Sequence, residues 1–430
     1  MRERGALKYT SLIYKAIGLW VFLLLAADIK VSIHPQIHWG ATLSVFILAL
    51  PLLLRLKYSL VTPIKLFALF MSGLLVASVL LVSFTSENPS YGLSQSAKLS
   101  IILLGAFPLL LGNSHLIKIG ISTIPVAVFS NLILLILGLT ASPVFAQLMT
   151  GDNRWGTFFN YPGSLWRVGI LVIVLAAYAL LQRRRRVYYA LLLAAALTLI
   201  YFDSSRTGAL LLFLAFVFSA LIILFERRHR LLAGVISIVI ILAILGLLCS
   251  IFYNNEEQVR QILPQRVVQT FEAILMGNYE EADHTRYEML QVAQGQIQQN
   301  PLWGTGIGNT RVNTNEGPIV VHNAYLQVWA DLGIMGLIAY TGLVIGWFIW
   351  VPSFFRHVRQ RGDPVERGLY YNAVFILFFY AFSGLFHPLS TEWSEWITFI
   401  LPYALFARAL SKDEVGNAKP SQLLSRNLDL

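Results

Sequence analysis

Charge is scarce in this chain. Only 13% of its 430 residues are Asp, Glu, Lys or Arg, against roughly 25% in a soluble globular protein, and that shortage excludes a water-soluble fold. Cysteine is nearly absent: Cys249 stands alone inside an apolar run, so no intrachain disulfide can form. The Cys/His spacings of zinc sites are missing, and so is any Asp-x-Asp pair. Glu281-Ala282-Asp283 is a stretch with paired carboxylates for a divalent cation, and a solvated acidic loop is the simpler account of it. The apolar runs carry almost no acidic groups, which argues against the mid-membrane carboxylates of proton-coupled pumps. Strict apolar–polar alternation is lacking too, and that excludes a β-barrel.

What is present is hydrophobic length. Apolar residues make up 57% of the chain, in repeated runs of roughly 17–25 residues, enough to cross the hydrocarbon core as helices. Backbone groups in lipid must be satisfied internally, so such runs specify a helical bundle. The expectation is an all-α polytopic membrane protein with about 12 transmembrane helices. Arg2, Arg4 and Lys8 precede the first run, which reads as an uncleaved first helix because many spans follow. Residues 1–253 would hold helices 1–9, with the second span near 41–54, a polar loop at 85–98, the sixth span over 165–181, the ninth over 231–253, and outer loops carrying Arg154 and Arg206. Residues 254–324 form a large outer loop with amphipathic helices, 325–410 hold helices 10–12, the tenth over about 325–350, and 411–430 are a polar tail.

The net charge of +10 is a matter of topology. Most of the 32 basic residues fall on the side of both termini, in clusters at 183–186, 227–230 and 356–367. The positive-inside rule makes that side cytoplasmic, and nucleic acid is not needed to explain the charge.

The opposite face then collects Arg154, Arg206, Arg286 and His322 from distant parts of the chain. Each has an ordinary reading. Arg206, at a helix end, can snorkel to headgroups, yet it lies on the side poor in basic residues. Arg154 sits beside Trp155 and can anchor an interface. Arg286 opens a helix with Thr285 as N-cap and Glu288 completing a capping box. Tyr287, Leu290, Ala293, Gln294 and Ile297 form its stripe, and Asn300-Pro301 ends it. Such a helix lies on the membrane or against the bundle, and its N-terminus suits an anion. Gly304-Thr305-Gly306-Ile307-Gly308 reads as a turn needing positive φ, since the Lys-Ser/Thr of a nucleotide loop is absent. His322, followed by Asn323, begins the tenth span as a polar interfacial residue or as something more. His387, before Pro388, is a possible supporting group.

Taken together these residues resemble the O-antigen ligase superfamily. The resemblance rests on His322-Asn323 followed after nine residues by Gly333-x-x-Gly336, and on Asn300-Pro301-Leu302-Trp303-Gly304-x-Gly306-x-Gly308 downstream of Arg286. Ser205-Arg206 at a helix end and Arg154-x-Gly156-x-Phe158-x-Asn160 add to it. Asn160-Tyr161-Pro162 departs from the Asn-Pro-Asn pattern of the family. The superfamily contains O-antigen ligases, O-antigen polymerases and protein O-oligosaccharyltransferases. Membership implies a GT-C-like membrane glycosyltransferase in the bacterial inner membrane, with the active site and large loop periplasmic and both termini cytoplasmic. It implies an undecaprenyl-pyrophosphate-linked glycan donor, a lipid A-core acceptor, and no metal or other cofactor. Arg154, Arg206 and Arg286 would bind the pyrophosphate, His322 would be the general base, and Asn323 would support it. The polymerase and protein-transferase readings stay open, as does a lipid-linked sugar flippase, which would need broken or charged helices at mid-depth.

Overall fold

The computed structural model describes residues 12–23, 40, 42–44, 46–47, 49–50, 62–149, 154–226, 284–314 and 317–411. These are mostly helical. Helix α1 is Leu12–Leu23, α2 Pro63–Ser83, α3 Pro89–Gly112 and α4 Ser114–Thr140. A two-stranded antiparallel hairpin follows, β1 (Ala146–Met149) and β2 (Arg154–Thr157). Then come α5 (Trp166–Ile170), α6 (Ile173–Leu181), α7 (Arg186–Asp203), α8 (Arg206–Glu226) and α9 (His284–Gln299). A second hairpin, β3 (Arg311–Thr314) with β4 (Gly317–Val320), leads to α10 (Ala324–Ile345), α11 (Val351–Arg359), α12 (Pro364–Ser383) and α13 (Trp393–Ala409).

Among the described residues five helices are long and apolar enough to cross a membrane: α2, α3, α4, α7 and the continuous Ala324–Arg359. Leu12–Leu23, Trp166–Leu181 and Arg206–Ile222 are shorter apolar helices. The expected spans near 41–54 and 231–253 fall largely or wholly outside the described residues, as do the first part of the large loop and most of the tail.

Three expectations are corrected in detail. The polar stretch 85–98 was expected as a loop, yet the chain is helical from Pro89. Asn88 caps the helix by accepting from Tyr91 N at 3.1 Å, and proline suits the first helical position, where no N–H is needed. Gln95 and Ser96 are buried, and Gln95 Oε1 accepts from Thr391 Oγ1.

The sixth span, expected unbroken over 165–181, is interrupted between α5 and α6. Asn372 of α12 fills the break. Its Oδ1 accepts from Val174 N at 3.1 Å and Leu175 N at 3.2 Å, and its Nδ2 donates to Leu171 O at 2.6 Å. A backbone group left unpaired in a dry interior costs about 1–3 kcal/mol. Asn372→Leu is therefore expected to lower the melting temperature of the purified protein clearly. An unchanged melting temperature would contradict this reading of the break.

The tenth span, expected as one helix over 325–350, breaks at Gly333, where φ is 68° and ψ −168°. Ala324–Leu332 is thus a short helix of its own, and a second helix runs on from Ile334.

Between the later helices the core is aromatic. Trp347 meets Phe406 edge-on at 5.3 Å, and Phe354 stacks on Phe406 at 4.7 Å. At the arginine-rich end, Glu226 accepts from Tyr178 Oη at 2.6 Å and Tyr371 Oη at 3.0 Å and pairs with Arg367 at 3.5 Å. This network ties α6, α8 and α12 together at the face opposite the candidate site.

Candidate active site

The site is assembled from four local structures at the helix ends away from the Glu226–Arg367 pair. The first is the loop that follows β2. Asn131 of α4 is buried, and its Oδ1 accepts from Thr157 Oγ1 at 2.7 Å and Asn160 Nδ2 at 2.8 Å. Gly156 allows the tight return, since a Cβ there would meet Asn160 O at 2.4 Å. The Arg154-x-Gly156 pattern is therefore strand β2, whose end and following turn are pinned to α4. Arg154 lies over Gly163, whose φ is +90°, with Nη1 where a Cβ would stand 2.9 Å away. Arg154 is also within electrostatic reach of the Asp203 carboxylate.

The second is the turn Asp203-Ser204-Ser205-Arg206. Asp203 is fully buried and accepts from Leu165 N at 2.7 Å, capping the start of α5. Ser204 takes a left-handed conformation (φ 51°) that reverses the chain. Ser205 Oγ accepts from Gly208 N at 2.9 Å, the side-chain cap of α8. Arg206 is consequently the first residue of α8.

The third is the described part of the large loop. Helix α9 buries Met289, Ala293 and Ile297, packing against Val312, Ile319, Val321 and Leu326. Its expected stripe holds only in part: Tyr287 and Leu290 are exposed, because the buried face runs through Met289 and Ala293 instead. Thr285 is inside the helix and is not its N-cap. Arg286 stands one turn from Met289, on neighbouring positions of one helix surface. Met289 Sδ accepts the backbone N–H of His322 at 3.4 Å. His322 Nδ1 lies 2.9 Å from Val320 O. A carbonyl only accepts, so Nδ1 carries the proton and Nε2 is the ring's acceptor nitrogen. Asn323 Oδ1 accepts from Leu326 N at 3.1 Å and caps α10.

The glycine-rich turn explains the spacing downstream. Gly304, Gly306 and Gly308 have φ of 73°, 112° and 75°. Their loop wraps the end of the short Ala324–Leu332 helix. Thr305 N donates to Ala330 O at 3.0 Å, and Gly306 N to Asp331 O at 2.8 Å. The buried Asp331 carboxylate accepts from Gly308 N at 2.7 Å and Thr310 N at 3.0 Å. These amides serve an internal carboxylate, which leaves the loop as a structural clasp.

The fourth is the 384–392 segment between α12 and α13. Gly384 O accepts from Ala324 N at 2.7 Å, and Leu389 N donates to Gln327 Oε1 at 2.7 Å. Lys98 pairs with Glu392 at 3.1 Å. His387 stacks on Trp166 (5.7 Å, 29°) and sits 3.1 Å from Thr207 Oγ1 through Nε2. Burial, and next the charge of Arg167, lower the His387 pKa to about 4, while Glu395 opposes this and His322 and Arg286 add to it. One imidazole thus senses Arg286, His322, Arg167 and Glu395 and touches the residue after Arg206.

His387 titrates lower in the folded chain than in the unfolded one. Between pH 6.5 and about 4 the unfolded state binds the extra proton, so stability falls on acidification through that window. His387→Gln is expected to flatten this slope in melting-temperature curves; an identical slope would contradict it.

His387 thus contacts Thr207 at the start of α8 and feels the charges of Arg286 and His322, while Arg154 acts electrostatically on Asp203. Sequence reasoning missed Arg167, Glu395 and Thr207. Arg167 pairs with Glu395 at 2.8 Å and lies over Trp166 at 5.6 Å. The signal available was the one used for Arg206, a basic residue on the basic-poor side, hidden here inside an apolar run. Among the described residues no three His, Cys, Asp or Glu side chains are grouped to hold a metal, and Glu281 and Asp283 lie outside them.

Residues 191–341 match the family model described as O-antigen ligase. The chain carries an O-antigen ligase superfamily domain. No curated protein matches it. The matched stretch contains Arg206, Arg286, His322, Asn323 and Gly333 and stops before His387. The match at residues 191–341 and the several apolar helices support a membrane protein with a function of the O-antigen ligase or polymerase type in general. The family is one of glycosyltransferase-like membrane enzymes that act on lipid-linked glycans.

Proposed function

We propose that this O-antigen ligase domain transfers an O-antigen polysaccharide from undecaprenyl pyrophosphate to a sugar hydroxyl of lipid A-core, at the periplasmic face of the inner membrane. The observation that supports the reading is the held ring of His322, with Nδ1 2.9 Å from Val320 O, together with the contact of His387 with Thr207 beside Arg206. Both substrates are membrane-anchored, so a site at helix ends is where they meet.

In this reading Arg154, Arg206 and Arg286 bind the pyrophosphate. Guanidinium groups are permanently charged and give bidentate contacts to phosphate oxygens. They stabilise the charge that develops on the leaving group, and the reaction is proposed to need no metal. His322 Nε2 takes the proton of the acceptor hydroxyl as the oxygen attacks the anomeric carbon, with inversion. Asn323 supports it by capping the helix that His322 precedes.

Purified protein would be given the lipid-linked glycan and O-antigen-free lipopolysaccharide, with and without EDTA. A ladder on the lipopolysaccharide, unaffected by EDTA, is expected. Chain growth on the undecaprenyl carrier alone would move the assignment to the polymerase. Loss of the ladder with EDTA would contradict metal independence. Absence of both products would return the question to transport.

A further inference from the structure

Among the described residues, a contact between Thr207 and His387 links the two proposed halves of the site. Thr207 follows Arg206 at the start of α8, and His387 holds it at 3.1 Å. The 384–392 segment that carries His387 also grips α10 twice. Gly384 O takes the N–H of Ala324, two residues after His322, at 2.7 Å. Leu389 N donates to Gln327 Oε1 at 2.7 Å, one turn further along. The segment is itself fixed from other sides, by Trp166 stacked on His387 and by Lys98 on Glu392.

We infer that His387 is a positioning residue: through Thr207 it sets the distance between Arg206 and His322. The inference rests on the roles given above to those two residues. Its physical basis is chain geometry. Helices α8 and α10 are far apart in sequence, and the 384–392 segment bonds to the first turn of each. Releasing His387 leaves Arg206 at the start of α8 and His322 just ahead of α10 intact but lets their separation drift. A catalytic geometry misplaced by about an ångström loses up to a hundredfold in rate. Binding of each substrate to its own half should change little.

The test uses the full-length protein in detergent. In His387→Ala, kcat should fall roughly ten- to a hundredfold, while KM for the lipid-linked donor stays within about twofold because the donor's own contacts are unaltered. His387→Gln, which keeps a hydrogen-bonding group within reach of Thr207, should recover most of the loss. Thr207→Val should reproduce His387→Ala, and the double variant should be no worse than either single one. Amide exchange provides a readout independent of activity: Ala324 and Leu389 should exchange faster in both single variants. Should His387→Ala fail to fold, Thr207→Val reads the same contact from the other side.

Wild-type kcat in Thr207→Val or His387→Ala, or losses that multiply in the double variant, would overturn the inference. A wild-type protein inactive with either acceptor would instead overturn the functional reading. The exchange rates would still show whether the 384–392 segment is held by this contact.

Discussion

Changing His322 to alanine is expected to remove glycan transfer while leaving the donor bound and the protein folded. General-base catalysis is worth roughly a hundred- to ten-thousandfold in rate, so the residual turnover should be lower by about that factor. The structure supports this expectation at the level of the tautomer. Val320 O holds Nδ1 at 2.9 Å, which orients the ring and leaves Nε2 as acceptor. Alanine loses the ring but keeps the backbone N–H bond to Met289 and the Asn323 cap. The local fold should therefore survive, and the melting temperature should stay near wild type. Donor KM should also hold, since the pyrophosphate contacts belong to the arginines. Near-normal kcat in His322→Ala would sink the base role. A large fall in melting temperature would show that the residue is structural instead.

The second large effect is conformational. Gly333→Ala should lower stability more than any other single glycine-to-alanine change in the outer half of the chain. With φ 68° and ψ −168°, Gly333 occupies a region essentially closed to other residues, which costs of order 1–3 kcal/mol. A Cβ there would also stand 2.1 Å from Leu302 O and 2.7 Å from Trp303 N, both backbone atoms that no rotamer change can move. Relief requires parting the 300–308 loop from the end of the Ala324–Leu332 helix. That would release the bonds from Thr305 and Gly306 to Ala330 and Asp331 and the bond from Ile334 N to Pro301 O at 3.1 Å. Gly295→Ala is the control. It lies inside α9 with open space around the added methyl, and alanine favours a helix interior by roughly 0.5–1 kcal/mol over glycine. Equal melting temperatures for the two variants would mean that the break at Gly333 is not required.

These two residues show how much of the molecule was legible beforehand. The apolar runs marked α2, α4, α7 and the later spans because length in lipid is a one-dimensional property. The charge asymmetry of the loops pointed to Arg154, Arg206, Arg286 and His322, but not to the neighbours that hold each of them. The nine-residue gap between His322-Asn323 and Gly333 was visible as a pattern, but its reason was not. It is the length of one short helix, capped by Asn323 at one end and clasped by the glycine-rich loop at the other. Asp331 gave no sign of its task within an apolar stretch, because its partners Gly308 and Thr310 reach it only through folding. Asn372 was likewise invisible: its place in the break of the sixth span depends on a helix nearly two hundred residues later. Thr207 and His387 meet across a similar separation. Hydrophobic periodicity reports what each helix buries, and it is silent on which polar groups neighbouring helices exchange.

The measurement that tests the account most directly is the anomeric configuration of the linkage formed by the purified protein. One-step attack by an acceptor hydroxyl, with His322 taking its proton and pyrophosphate leaving toward the arginines, inverts the anomeric carbon. The product linkage is predicted to be opposite in configuration to the donor linkage. Retention would contradict the account, because it demands two successive displacements through a glycan bound covalently to the enzyme.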